Sequence, residues 1–212
     1  MKHEWKKHEK ELYTPKATPR LISVPTQQFI MICGKGNPND ADFSERVSAL
    51  YAVAYAIKMG YKATASAEGI SDFTVYPLEG VWEKEDGEEL VKENLKYTIM
   101  IRQPDFITKE MVNKALEQVK VKKPNRLYDE IFFATENAGL CVEILHIGPY
   151  DNEPTSFDKM DKFAKENGLE RTGNCHREVY LNNANHIEKS KLKTILRYLV
   201  FSKIQFTRDY TG

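Results

Sequence analysis

The sequence lacks paired cysteines and an excess of charge of either sign, two features that identify common functional classes of protein. Its three cysteines, Cys33, Cys141 and Cys175, form no Cys-x-x-Cys pair, so we expect small buried side chains rather than zinc ligands or a disulfide. The 31 basic and 31 acidic residues leave no net charge, which removes long-range attraction to DNA or to an anionic membrane. We therefore expect no direct nucleic-acid partner and no membrane partner.

Long apolar runs and common catalytic motifs are also missing. The most apolar helical stretch, residues 48–60, is too short to cross a bilayer and carries Lys58, and the charged residues 1–10 contain no apolar signal segment. This pattern favours a cytoplasmic protein. The segment "GKGNPN" lacks the spacing of a phosphate loop, and there is no Gly-x-Ser-x-Gly motif and no histidine pair at helical spacing. The sequence thus indicates no metal and no organic cofactor.

Apolar periodicity predicts alternating strands and helices. A helix begins at Asp40 or Asp42 and stops at Gly60, a second is capped by Thr108, and a third ends at Gly168. The segment from 127 to 148 is interpreted as two strands around a turn at 137–139, and the acidic tract 83–89 as an exposed connection. Further strands are predicted at 28–34, 73–83, 95–104, 174–183 and 191–201.

The two halves of the chain look alike. Both "FIMICGKGNPNDADF" and "CVEILHIGPYDNEPTSF" run from an apolar strand through glycine, proline and an Asn/Asp pair to a phenylalanine that opens a helix. In each half the predicted order of elements is strand, helix, strand, strand. The pattern predicts an α+β fold in which two βαββ units form one antiparallel-rich sheet with helices on one face. We expect an extension at 1–25, one domain at 26–201 and a tail at 202–212. Within the domain, repeats at 26–105 and 126–201 flank a linking helix at 108–121.

Five segments make the sequence recognisable: "YPLEGVW", "IRQPDF", "LCVEILHIGPYDNEP", "HREVYL" and "KLKTILR". Together they resemble the GyrI-like small-molecule-binding family in its stand-alone form, over nearly the whole chain. The resemblance implies an aromatic-walled pocket at the pseudo-twofold seam with an acidic residue in its floor. Relatives include drug-sensing domains of transcription regulators, a DNA gyrase inhibitor, and stand-alone hydrolases of cyclopropane-containing DNA alkylators. The sequence departs from the family pattern at Arg177, where a second histidine is usual, and at Ala184 and Asn185, where Pro-Arg is usual.

The strand "CHREVYL" carries the best candidate for the acidic residue. A period of two places His176, Glu178 and Tyr180 on one face. A carboxylate walled by aromatic rings can act as a counter-charge for a cationic ligand or as a general base on water. The alternative is a surface glutamate paired with Arg177 or Arg197.

The loop "HIGPYDNEP" is expected to form one lip of the same site. Tyr150 either lines the site and donates a hydrogen bond or packs on the following helix. His146 alternates with apolar residues and is either a ligand-binding group or a satisfied core histidine. Glu153 precedes Pro154 at the start of a helix, where an acid favours the helix dipole.

The segment "YPLEGVW" supplies the candidate aromatic wall. Tyr76 and Trp82 share one face of an ideal strand, and Gly80 between them leaves room for a flat ligand. Trp82 is either this wall or a core residue.

Three functions remain open at this point. The first is a hydrolase that opens the strained ring of a flat electrophile for cellular protection, with Glu178, Tyr150 and Tyr180 as catalytic residues. Tyr76, Trp82, His146 and His176 would bind the aromatic small molecule. The second is a non-catalytic drug sensor or sponge, and the third an inhibitor that contacts a protein such as gyrase. The sequence does not indicate an oligomeric state.

Overall fold

The computed structural model of the protein describes residues 1–65, 69–83, 95–184 and 186–202. The acidic connection after Glu83, the tail after Ser202 and the departure at Asn185 lie outside the described residues. In chain order the elements are β1 (Lys2–His3), α1 (Trp5–His8), α2 (Lys10–Tyr13), β2 (Arg20–Lys35), α3 (Ala41–Thr64), β3 (Asp72–Phe73), β4 (Leu78–Glu83), β5 (Lys96–Gln103), α4 (Lys109–Lys122), β6 (Phe132–Ile147), α5 (Glu153–Glu166), β7 (Leu169–Arg171), β8 (His176–Tyr180) and β9 (Lys193–Ser202).

The predicted duplication is present. The first unit runs β2, α3, β4, β5 and the second β6, α5, β8, β9, with α4 as the link between them. Seven of the described strands pair antiparallel in the order β6-β2-β5-β4-β8-β9-β7, and β6 also pairs with β9, so six of them close a ring. Strands β1 and β3 form a separate parallel pair. Two seams join the units, one between β2 and β6 and the other between β4 and β8. The α+β fold with one antiparallel sheet is thus confirmed.

Each long helix buries its apolar side against the strands of its own unit. In the first unit Leu50 and Val53 of α3 lie in one cluster with Ile30 and Ile99, and all four are fully enclosed. In the second unit Met160 of α5 packs with strand residues Val142, Ile144 and Leu196. Burial of each such side chain contributes about 1.5–3 kcal/mol, which fixes both helices on one face of the sheet.

Among the element boundaries that differ from the sequence prediction, those of β2, β6 and α3 differ because tertiary contacts outweigh local signals. Strand β2 starts at Arg20 rather than 28, since residues 20–26 pair with β6. Strand β6 runs without a turn through Gly139, whose φ of 69° suits glycine, because β2 continues alongside it. Helix α3 continues past Gly60 to Thr64, and Tyr61 in that last turn stacks on Phe106 at 4.7 Å.

The N-terminal residues, expected to form an extension, pack into the core. Trp5 and Tyr13 are 5% and 3% exposed, and the indole N–H of Trp5 donates to the Val75 carbonyl at 3.0 Å. Among the described helices, none combines the length and the apolar character needed to cross a membrane.

Candidate functional site

The candidate site lies at the seam between β4 and β8, where the two units meet. Gly80 pairs with Glu178 and Trp82 with His176, so these side chains emerge on one face of the sheet. The turn that carries Tyr150 and the first turn of α5 cover this face. We call the group the Glu178 cluster, which consists of Trp82, Tyr150, Glu153, His176, Glu178 and Tyr180.

Glu178 is a buried carboxyl group that accepts hydrogen bonds from three neighbours. It is 8% exposed, and its Oε1 lies 2.9 Å from His176 Nε2. The Tyr180 hydroxyl and the Glu153 carboxyl are its other hydrogen-bond partners. None of these three partners is a lysine or an arginine.

The two arginines considered as surface partners of Glu178 are engaged elsewhere. Arg177 lies on the opposite face of β8, with its guanidinium 3.6 Å from Glu79 and 5.3 Å from the Phe29 ring. Arg197 donates to Glu143 at 2.5 Å. The departure from the family pattern at Arg177 therefore lies on the other side of the sheet from Glu178.

Tyr180 connects Glu178 to the aromatic core of the first unit. The indole N–H of Trp82 donates to the Tyr180 hydroxyl at 3.0 Å, and that hydroxyl donates to Glu178. Burial, and then the charge of Glu178, raises the pKa of Tyr180 well above its ordinary value. Trp82 is therefore a core residue, 7% exposed, whose one polar atom faces the cluster.

Gly80 makes the contact between Trp82 and Tyr180 possible. A Cβ atom at Gly80 would lie 2.8 Å from Trp82 Nε1 and 3.2 Å from the Tyr180 hydroxyl. The room that the sequence predicted for a flat ligand is thus filled by these two side chains.

Tyr150 forms the exposed edge of the cluster. It is 40% exposed, and its ring meets that of Tyr180 edge-on at 5.9 Å. Burial of the remainder, followed by the charges of Glu178 and Glu153, raises the pKa of Tyr150 to about 12. The phenol therefore stays protonated at neutral pH and can donate a hydrogen bond.

Glu153 is the member of the cluster that sequence reasoning missed. It is the first residue of α5 and 7% exposed, while the N-cap residue is Asn152. Burial, and then the neighbouring Glu178 charge, raises the pKa of Glu153 to about 9. The helix dipole favours an ionised acid there by only about 0.3–1 kcal/mol, less than the several kcal/mol needed to bury a charge. The available signal was spacing, since Glu153 follows Tyr150 by three residues and shares its side of the turn.

The two predicted histidines occupy different surroundings. The ring of His176 lies edge-on to Phe157 at 4.9 Å, next to Glu178. His146 bonds Ser156 at 2.9 Å and the Pro149 carbonyl at 3.0 Å, so it holds the Tyr150 turn against α5. Across the described residues, no three His, Cys, Asp or Glu side chains are grouped as metal ligands would be.

The structure places Tyr76 away from the cluster. Its hydroxyl bonds Glu9 and lies 3.0 Å from His3, and its ring lies 5.0 Å from the Arg102 guanidinium. The alternation assumed for "YPLEGVW" does not reach Tyr76, because β4 begins only at Leu78.

A separate cavity of about 870 Å³ opens between the N-terminal helices and residues 181–193. Trp5, Tyr13, Leu181, His186 and Lys191 are among its lining residues, and none of the predicted catalytic residues lines it.

Comparisons with known proteins identify a family and two similar crystal structures. Residues 17–199 match the family model of the GyrI-like small molecule binding domain. Two crystal structures from Listeria innocua, an uncharacterized conserved protein and a hydrolase, are 37% and 36% identical, each with a TM-score of 0.87. They align with 94% and 95% of this chain and with 100% of their own. No curated protein matches.

A more distant structure shares the fold alone. The C-terminal domain of EcmrR is 15% identical with a TM-score of 0.54, over 87% of this chain and 98% of that domain. Because the family match spans the two βαββ units and the seam between them, the chain belongs to the GyrI-like family of small-molecule-binding domains.

Proposed function

We propose that this protein is a hydrolase that opens the cyclopropane ring of flat, apolar, DNA-alkylating small molecules and so protects the cell. The observation that carries the proposal is the buried Glu178 carboxylate, held by three hydrogen-bond donors among aromatic rings. The similarity to a hydrolase from Listeria innocua over 95% of the chain supports the same reaction class.

Glu178 would act as the general base. An ionised carboxylate has about four lone-pair sites, so Glu178 can accept a hydrogen bond from water in addition to those from its three protein partners. It takes a proton from water as the water oxygen bonds to a ring carbon and the strained C–C bond breaks. General base catalysis and positioning of the water each supply roughly 10²–10⁴-fold, which suffices because ring strain already lowers the barrier.

The two tyrosines would have different tasks. The Tyr180 hydroxyl already accepts from Trp82 and donates to Glu178, so its task is to hold the base. Tyr150 is 40% exposed and its phenol is protonated, so the hydroxyl can donate to a substrate carbonyl oxygen as charge collects there. Substrate would enter by displacing or stacking on the Tyr150 ring.

Product analysis tests the proposal directly. The protein is incubated with a cyclopropane-bearing alkylator in isotope-labelled water, and the product is examined by mass spectrometry. We expect the mass gain of one labelled water, at a rate proportional to protein concentration. Unchanged alkylator, or an alkylated protein without free product, would contradict hydrolysis.

One observation favours a second function, reversible binding of aromatic cations. Among the described residues, the hydrogen-bond partners of Glu178 include no lysine or arginine, so its negative charge is available to a cationic ligand. Cation-ring contacts with the tyrosines would add about 0.5–2 kcal/mol each. A fluorescence change with a cationic dye but no mass gain with any cyclopropane substrate would select this function.

A further inference from the structure

Two buried carboxyl groups from different elements meet in the Glu178 cluster. Glu153 begins α5 and Glu178 lies in the middle of β8, and both are less than a tenth exposed. Their side chains are hydrogen-bond partners. Two ionised carboxylates can only accept hydrogen bonds, so this contact requires at least one proton between them.

The surroundings decide which group carries that proton. Besides Glu153, two groups donate hydrogen bonds to Glu178: His176 and Tyr180. Glu153 Oε1 is buried and has no hydrogen-bond partner among the described residues. A negative charge is more stable where donors surround it, so Glu178 is the anion and Glu153 the acid.

We propose that Glu153 and Glu178 form an acid–carboxylate pair that holds one proton and takes up and returns the proton of each turnover. The second half rests on the function proposed above. Glu153 acts through Glu178 in two ways: its donated hydrogen bond orients the base, and its carboxyl group exchanges protons with Glu178.

The pair takes up the proton that water releases and returns it to the substrate. Water gives one proton to Glu178 while its oxygen bonds to the ring carbon, and the electrons of the broken C–C bond pass to the conjugated carbonyl oxygen. The pair then holds two protons and the substrate oxygen is an anion. Transfer of one proton to that oxygen releases the product and restores the pair.

Other titratable groups face the pair, and their ionisation has to be distinguished from that of Glu153. From β8 they are His176 and Tyr180, and from the turn before α5 they are Tyr150 and Asp151. The tyrosine pKa values are raised, so neither phenol ionises before Glu153 does as the pH increases. Asp151 is an exposed acid two residues from Glu153, which makes Asp151→Asn the matched control.

The first measurement needs no ligand. Infrared difference spectra between about pH 7 and pH 10 detect loss of a protonated carboxyl C=O band when Glu153 ionises. We expect the band in the unmodified protein and in Asp151→Asn, and its absence in Glu153→Gln. A band that is missing from the unmodified protein, or that persists in Glu153→Gln, overturns the pair.

The second measurement uses the permanently charged dye ethidium. A second negative charge beside Glu178 is expected to tighten ethidium binding roughly tenfold between about pH 7 and pH 10, and this rise is lost in Glu153→Gln. A flat profile in the unmodified protein contradicts the pair.

The third measurement is turnover. Glu153→Gln, which keeps a donor to Glu178, is expected to lower kcat roughly 10–100-fold with KM within a few-fold, and to remove the alkaline limb of the pH profile. An unchanged kcat in that variant contradicts the proton-return role. If the infrared band is present but no ring is opened, the proposed function fails while the pair stands. If rings are opened without the band, the pair fails while the proposed function stands.

Discussion

The two βαββ units place different chemistry at the same point of the fold. In the first unit Phe43, at the start of α3, stacks on Trp82 of β4 at 5.9 Å, and Tyr97 lies 5.3 Å from the same indole. In the second unit Phe157, at the start of α5, meets His176 of β8 at 4.9 Å. Trp82 and His176 pair across the seam, so an aromatic wall and a row of titratable groups face each other.

The difference indicates how a duplicated fold acquires one site. Apolar rings in the first unit bury without loss of hydrogen bonds, so this unit can supply rigid packing. In the second unit the polar side chains around Glu178 are paired with one another: His176 and Tyr180 with Glu178, and Glu178 with Glu153. The indole N–H of Trp82 connects the aromatic residues of the first unit to the Tyr180 hydroxyl of the second, so the site depends on both units.

The largest loss of turnover is expected at Glu178 and not at Glu79, a second buried glutamate on the opposite face of the sheet. Glu178→Gln removes the base while keeping its size, so ring opening should fall roughly 10²–10⁴-fold while neutral ligands bind within a few-fold. Glu79→Gln is the matched control, since Glu79 is 1% exposed beside Arg177 on the other face. Single-turnover kinetics and ligand titration provide the comparison. Equal losses in both variants would mean that the two faces are not distinct in function.

If Glu178 is only a counter-charge, the same variant gives another result. Cationic ligands should then weaken by about 1–3 kcal/mol, with no ring opening present in the unmodified protein.

The next effect contrasts the acids in the first turns of the two helices. The pKa of Glu153 is raised from 4.5 to about 9, so the folded chain keeps a proton that the unfolded chain releases in that range. The free energy of unfolding should therefore fall by up to about 1.4 kcal/mol per pH unit as pH rises through this window. Glu153→Gln should remove that slope, as measured by urea unfolding at several pH values.

Asp42 in the first turn of α3 is the control for that experiment. Its carboxylate is half-exposed and pairs with Arg46 at 2.7 Å. Exposed pairs of this spacing contribute about 0.3–0.5 kcal/mol, so Asp42→Asn should change stability only slightly and leave the slope in place. A slope that survives Glu153→Gln would assign it to other groups.

A smaller loss of stability and turnover is expected from adding a methyl group at Gly80, in the seam between β4 and β8. Gly80→Ala would place a methyl group 2.8 Å from Trp82 Nε1, and such overpacking destabilises by about 1–3 kcal/mol. Turnover should fall as well, because the Trp82–Tyr180 contact is broken. Gly60→Ala in α3 meets no atom within 4 Å and should be neutral or stabilising by up to about 1 kcal/mol. Thermal unfolding and turnover of both variants decide whether the seam is as tightly filled as the structure indicates.

The smallest effect compares the two tryptophans. Trp82→Phe keeps a ring but removes the donor to Tyr180, so a loss of about 1 kcal/mol in stability and a few-fold loss of turnover are expected. Trp5→Phe removes a similar donor to the Val75 carbonyl and should affect stability alone. Parallel turnover losses in the two variants would contradict a specific link between Trp82 and the site.

Much of the fold was predictable because its signals are local. The repeat of strand, helix, strand and strand appears in both halves, and Thr108 caps its helix as its position predicts, by accepting from the Met111 N–H. Alternation in β8 places His176, Glu178 and Tyr180 together, since a strand turns successive side chains to opposite faces.

Local patterns in the chain were enough to predict the two units, the face of β8 that bears Glu178, and aromatic residues near it. The contact of Glu153 with Glu178, the contact of Trp82 with Tyr180 over Gly80, and the packing of Tyr76 against the N-terminal segment follow from the folded arrangement. These contacts join residues that are distant in the chain or lie in turns. Periodicity fixes the direction of side chains within one element, whereas contacts between elements depend on where turns and packing bring them. Spacing relates Glu153 to Tyr150 within its turn but does not bring either residue to β8, and residues 74–77 before β4 follow no strand period.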